Sequence, residues 1–148
     1  RNSAKLRTDV LDMRATMARH KPPKGPLDIK LARGGLVDLE FLTHFLQLRD
    51  AAGLNGALTP FLGDALHLFD QAGLLPTELG PAHDTLTRAL VAIRLLAPDG
   101  LEPPEAARAV LAKACGCGDW EALLAALDAA RAQVAAAWHD LFGETLEV

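Results

Sequence analysis

Lys30, Arg33, Gly34, Gly35, Asp38 and Glu40 all fall within the short string DIKLARGGLVDLEF at 28–41, and they are the residues of this chain best suited to chemistry. Two cations lead into a Gly-Gly pair, and the pair leads into a strongly apolar helical pattern. Free N–H groups and the positive dipole end at a helix start favour an anion, and Lys30 and Arg33 are close enough in sequence to converge on it. Such a loop would hold a phosphate. The competing reading is a tight turn, in which the glycines let the chain enter a buried helix and Asp38 stabilises the helix end while the cations stay solvated. Contact with a nucleotide requires Lys30 and the N–H groups of Gly34 and Gly35 to stand open. Glu40, His44 and Gln47 form a second polar feature, a row at i, i+4 and i+7 that must meet water, a partner or a ligand.

Few other reactive groups are available. Ser3 is the only serine and lies near the start of the chain, which excludes a serine triad or nucleophile elbow in practice. Cys115 and Cys117 are separated by one glycine, a spacing at which a bridge is strained, and they read as free thiols. The five histidines follow no ligand spacing, so no metal site is expected. Asp38 with Glu40, and Asp119 with Glu121, are i, i+2 pairs whose side chains point about 200° apart on a helix, so neither pair makes a metal site by itself.

The elements that must position these residues are helical almost throughout. Leu6, Val10, Met13 and Met17 recur at helical spacing, with Arg7, Arg14 and Lys21 on the polar side. KPPKGP ends that helix, and LDIKLAR at 27–33 suggests an extended connector. A second helix, from Leu36 to about residue 52, is apolar on most sides and belongs at the centre of a bundle. A third runs from about Thr59 to Ala72, stopped by Gly73, and Pro76 suits the first turn of its successor. Leu86, Leu90, Ile93 and Ala97 stripe a fourth helix, and Pro104 opens a fifth. A sixth, capped by Asp119 and ending at Phe142, carries Trp120, Leu124, Leu127, Val134, Trp138 and Leu141 on one seam. The expected fold is all-α, a single helical bundle of five to seven helices over 1–148, with residues 21–35 as the connector that carries the basic Gly-Gly motif. Phe41, Phe45, Leu46, Leu90, Leu127 and Trp138 are the predicted core.

With 148 residues, half of them hydrophobic, one core is the default. No apolar run approaches a membrane span and RNSAKLRTDV has no signal-like core, so a cytoplasmic location is expected. The net charge of −4 hides an asymmetry: residues 1–35 carry nine Lys or Arg against three Asp, and the remainder six against sixteen. A basic opening segment can face nucleic acid, a nucleotide or an acidic neighbouring domain. Overall acidity, and the lack of a basic recognition helix or an aromatic-studded basic surface, argue against nucleic acid.

The string DIKLARGGLVDLEFLTHFLQLR closely resembles a hallmark of bacterial glutamine synthetase adenylyltransferases. There an Asp-hydrophobic-Lys segment leads to Gly-Gly, two hydrophobics, Asp, a hydrophobic and Glu-Phe, then a Gln-rich apolar helix. A looser form recurs in the related PII uridylyltransferases, and the Glu40-Phe41 ending favours the adenylyltransferases. DMRATM at 12–17, GLL at 73–75 and AQVAAAWHDLF at 132–142 are similar to further family segments. TLTRALVAIRLLAPDG departs from the arginine-rich, aromatic pattern of typical members.

The resemblance implies a two-headed enzyme that attaches AMP from ATP to a tyrosine of glutamine synthetase and removes it by phosphorolysis. Catalysis in that family uses a Gly-Ser turn and an Asp-x-Asp that binds magnesium, and this sequence has neither. It therefore resembles a helical domain of the larger enzyme, the one after the second, adenylylating head. ATP and Mg²⁺ would belong to the parent enzyme, with no cofactor bound by this chain alone. The expected partners are the nucleotidyltransferase domain of the same polypeptide, glutamine synthetase and the PII signalling protein. Lys30, Gly34, Gly35, Asp38 and Glu40 match the motif, with Arg33 beside it, and by analogy this edge would face the head and help enclose the nucleotide. The alternative is an interaction module that docks glutamine synthetase or PII through an exposed apolar patch and touches no nucleotide.

Overall fold

The computed structural model describes residues 3–50, 59, 61–98 and 102–146, and among them six α-helices and no strand. The helices are α1 (Ser3–His20), α2 (Leu36–Asp50), α3 (Leu62–Gln71), α4 (Leu79–Leu96), α5 (Glu105–Ala114) and α6 (Trp120–Phe142). The all-α expectation and the helix count hold. The expected end of α2 near residue 52 falls outside the described residues.

The longest helix organises the bundle. Leu123, Leu127, Ala130, Val134, Ala137, Trp138 and Phe142 bury one seam of α6, spaced mostly three or four apart as a helical face requires. Its most extensive partner is α4, which turns Leu79, Ala82, Leu86, Ala89 and Ile93 inward. The alanines on both seams leave room for close approach of the two helices. Asp119 caps α6 as its sequence position suggests, its Oδ1 accepting from Ala122 N–H at 2.8 Å, and Gly143 ends the helix at φ 71°.

The central placement of α2 also holds: Leu36, Leu39, Leu42, Phe45 and Leu46 are buried, and α2 packs on α1, α3, α4 and α6. Phe45 meets Phe142 edge-on, ring centroids 5.0 Å apart, and Trp138 lies 4.5 Å from Phe142. Phe41 and Leu90, expected inside, are only partly buried against this core, as are Leu124 and Leu141 on α6. Leu48 on α2 is exposed.

Three local expectations change. Met13 is 59% exposed, and the inward line of α1 is Leu6, Val10 and then Arg14, at i, i+4 and i+8. Because α1 packs chiefly on α2, it needs only a narrow inward stripe, and a guanidinium with a buried acid to meet can continue that stripe. The connector is a run of turns rather than an extended segment, with Asp28 N–H donating to Gly25 O and Ala32 N–H to Asp28 O. Finally, α3 begins at Leu62 and α4 at Leu79, with Pro76 in the turn before α4, where its carbonyl accepts from Leu79 N–H.

Candidate functional site

Asp38 anchors the site. One turn into α2 and 2% exposed, its carboxylate reaches back to accept the N–H of Gly34 on Oδ2 at 2.8 Å. It also accepts Arg14 Nε on Oδ1 and Arg14 Nη2 on Oδ2, the latter at 3.4 Å. One acid therefore neutralises the positive end of α2, satisfies a buried loop donor and pins α1. Burial pushes the Asp38 carboxyl above its usual range, against the opposing pull of Arg14, the Gly34 N–H and Arg33.

Three further donors at the helix entrance are also committed. Gly35 N–H donates to Ala32 O at 2.8 Å, Leu36 N–H to Ile29 O at 3.0 Å and Val37 N–H to Lys30 O at 3.1 Å. The open N–H groups that would cradle a phosphate differ from this arrangement: the anion at the start of α2 is the chain's own Asp38.

The glycines are required for space. Gly34 has φ +76°, and a Cβ there would lie 2.3 Å from Arg131 O of α6. At Gly35 a Cβ would lie 2.4 Å from Ile29 O and 2.8 Å from both Ala32 O and Lys30 O. The pair lets the connector lie flat against α6 and fold tightly over its own carbonyls.

This clasp leaves two cations outside. Lys30 and Arg33 are exposed, and among the described residues neither makes an ion pair. Glu40 is half-buried and His44 exposed, while Gln47 is buried and donates Nε2–H to Thr59 O at 2.9 Å, so the polar row splits. Lys30 also borders a cleft of about 400 Å³ between the connector and the ends of α1 and α4, which Lys21, Lys24 and Arg94 line with it.

Two residues that hold the site escape the sequence reading. Helical spacing alone puts Arg14 on the polar face, although its position four after Val10 continues the buried stripe. Arg131 sits four after Leu127, in register with the α6 seam, and that register is the signal for it. Its Nη2 donates to Pro26 O, and its side chain is 13% exposed, while its Nε is buried with no partner. Burial lowers the guanidinium below its ordinary value, and Asp128 and Asp28 oppose that shift. Arg131 thus grips the connector by side chain and crowds it by backbone. Among the described residues no three His, Cys, Asp or Glu side chains are grouped to hold a metal ion, and no helix is long and apolar enough to cross a membrane.

A helical domain, six helices among its described residues, whose connector is clasped by a buried acid and carries exposed cations is the class of protein that fold and site define. Residues 5–142 match the family model described as GlnD PII-uridylyltransferase, and the chain belongs to that family. It is also similar to curated relatives named bifunctional glutamine synthetase adenylyltransferase/adenylyl-removing enzyme. That of Caulobacter vibrioides is 38% identical over 142 residues, covering 91% of this chain and 14% of the relative. That of Agrobacterium fabrum is 35% identical, covering 80% and 13%, and that of Bordetella bronchiseptica 37%, covering 87% and 14%. The chain thus spans about one seventh of the length of these relatives. No solved structure matches it.

Proposed function

We propose that this chain is the helical domain of a bifunctional nucleotidyltransferase that adenylylates and deadenylylates glutamine synthetase in nitrogen regulation. The observation that carries the reading is similarity to such enzymes over most of this chain but a small share of theirs, in a sequence with no Gly-Ser and no Asp-x-Asp. The domain packs on the catalytic head of the same polypeptide, which supplies the ATP and magnesium sites, and the whole works in the cytoplasm.

Within that reading the connector edge helps enclose the nucleotide. Contact comes from the side chains of Lys30 and Arg33, because the Gly34 and Gly35 N–H groups are spent inside the chain. Gly34, Gly35 and Asp38 position the two cations, and Glu40 lies half-buried on the same helix. The test uses the longer polypeptide with its head. Removing this domain should abolish labelling of glutamine synthetase from labelled ATP, and the isolated chain should label nothing. Robust labelling by the isolated chain would sink the reading.

A second reading is favoured by one observation. Val91, Leu95 and Leu96 on the outer side of α4 are exposed, Leu95 at 77%, and such a patch suits docking of glutamine synthetase or the PII protein. A Leu95→Glu variant that retains ATP dependence but loses response to PII would support it.

A further inference from the structure

The cleft beside Lys30 is formed by three separate elements. Lys21 comes from the end of α1, Lys24 and Lys30 from the connector, and Arg94 from the last turn of α4. Among the described residues none of the four makes an ion pair. The carboxylate that lines the cleft, Asp28, is committed to the backbone: Oδ2 accepts from Lys24 N–H and Oδ1 from Leu31 N–H, each at 3.0 Å. Among the described residues, four cations therefore meet one acid, whose oxygens are already engaged. Lys21 and Arg94 also offset the negative ends of the helices they terminate, but Lys24 and Lys30 have no such duty.

Beneath the charges the cleft is apolar, with Ile29 and Ile93 buried and Leu90 half-buried. A volume of about 400 Å³ lies in the range of small-molecule sites. A bare anion would use the cations and leave the floor wet, whereas a purely apolar ligand would bury the ammonium groups unpaired. A ligand that satisfies both halves carries several negative charges at one end and an apolar face at the other.

We propose that this cleft is a binding site for a polyphosphate joined to an apolar group, held by the helical chain alone without metal and without a catalytic head. Lys21, Lys24 and Arg94 lie outside the family motif and outside the edge proposed above, with Lys30 common to both. The site therefore survives if nucleotide enclosure in the parent enzyme is disproved.

The test is equilibrium binding to the purified chain, with chelator present, of inorganic triphosphate, ATP and sulfate. Triphosphate should bind and raise the thermal midpoint, ATP should bind several-fold tighter, and sulfate should bind far more weakly. Lys21→Ala with Arg94→Ala should weaken triphosphate by about tenfold or more, the loss expected from charge-assisted contacts. Lys5→Ala with Lys113→Ala removes the same charge from exposed positions elsewhere and should leave binding unchanged. An equal loss in that control pair, or no triphosphate binding at all, would overturn the site. ATP no tighter than triphosphate would overturn the apolar half of the ligand.

Discussion

The guanidinium of Arg14 meets the carboxylate of Asp38 across 24 residues of chain, with their side chains only 11% and 3% exposed. The same carboxylate holds the Gly34 N–H, so one buried acid ties both α1 and the connector to the start of α2. Removing one partner of such a pair strands a charge, which costs about 3 to 5 kcal/mol. Arg14→Met should therefore destabilise the chain far more than Arg19→Met, whose residue is exposed. Denaturant midpoints of the two variants check this.

The pH dependence of that loss follows from Asp38. Its folded-state value lies above the unfolded one, so the contribution present below the unfolded value is lost as pH rises through the folded value. Removing Arg14 removes a lowering influence and raises Asp38 further. The stability gap between wild type and Arg14→Met should then be widest above both raised folded-state values and shrink as pH falls through them, where the carboxyl accepts its proton in each chain. Thermal midpoints across this range check it, and a gap that does not vary with pH would show that Asp38 does not titrate with the pair.

Three glycine substitutions separate backbone strain from crowding. Gly73 has φ +74°, and a Cβ added there would meet nothing within 4 Å, so Gly73→Ala should cost only the left-handed penalty of about 1 to 2 kcal/mol. Gly34→Ala carries the same strain plus collision with Arg131 O, so it should cost clearly more. Gly35→Ala tests collision without positive φ. Denaturant midpoints should rank Gly73→Ala mildest, and Gly34→Ala no worse than Gly73→Ala would refute the close approach to α6.

Phe45→Ala removes a buried ring packed on Phe142 and should cost about 3 to 5 kcal/mol. Phe41→Ala, at a half-buried position, should cost less. Equal losses in thermal or denaturant unfolding would mean that the two faces of α2 are packed alike.

Much of this architecture is legible in the sequence because apolar spacing reports which face a helix buries. The Asp119 cap and the Leu127, Val134 and Trp138 line of α6 follow from spacing and residue type, whereas Trp120, Leu124 and Leu141, expected on the same seam, are only partly buried, and Leu123 and Phe142 take the inward positions beside them. The Arg14–Asp38 pair does not follow from spacing, because a buried charge looks polar in the sequence and its partner is set by how α1 packs on α2. The anion-site reading of Gly34 and Gly35 meets the same limit: helix starts do expose donors in general, but which group takes them depends on a side chain one turn later folding back. Lys30 and Arg33 as free cations are legible, since no acid adjacent in sequence could claim them all.

The last prediction separates the clasp from the edge it supports. Lys30 and Arg33 are exposed and make no ion pair among the described residues, so Lys30→Ala and Arg33→Ala should each change stability by no more than about 0.5 kcal/mol. In the longer polypeptide that carries the catalytic head, the same variants should raise the ATP concentration needed for half-maximal adenylylation. Asp38→Asn should behave in the opposite way, because it weakens the Arg14 contact and the Gly34 anchor together and so lowers the thermal midpoint first, with activity following only as the connector loosens. Measuring thermal midpoint and ATP dependence for all three decides the matter. Lys30→Ala and Arg33→Ala with unchanged ATP dependence would mean that the Gly-Gly connector is a clasped turn into α2, and that its cations do not reach the nucleotide.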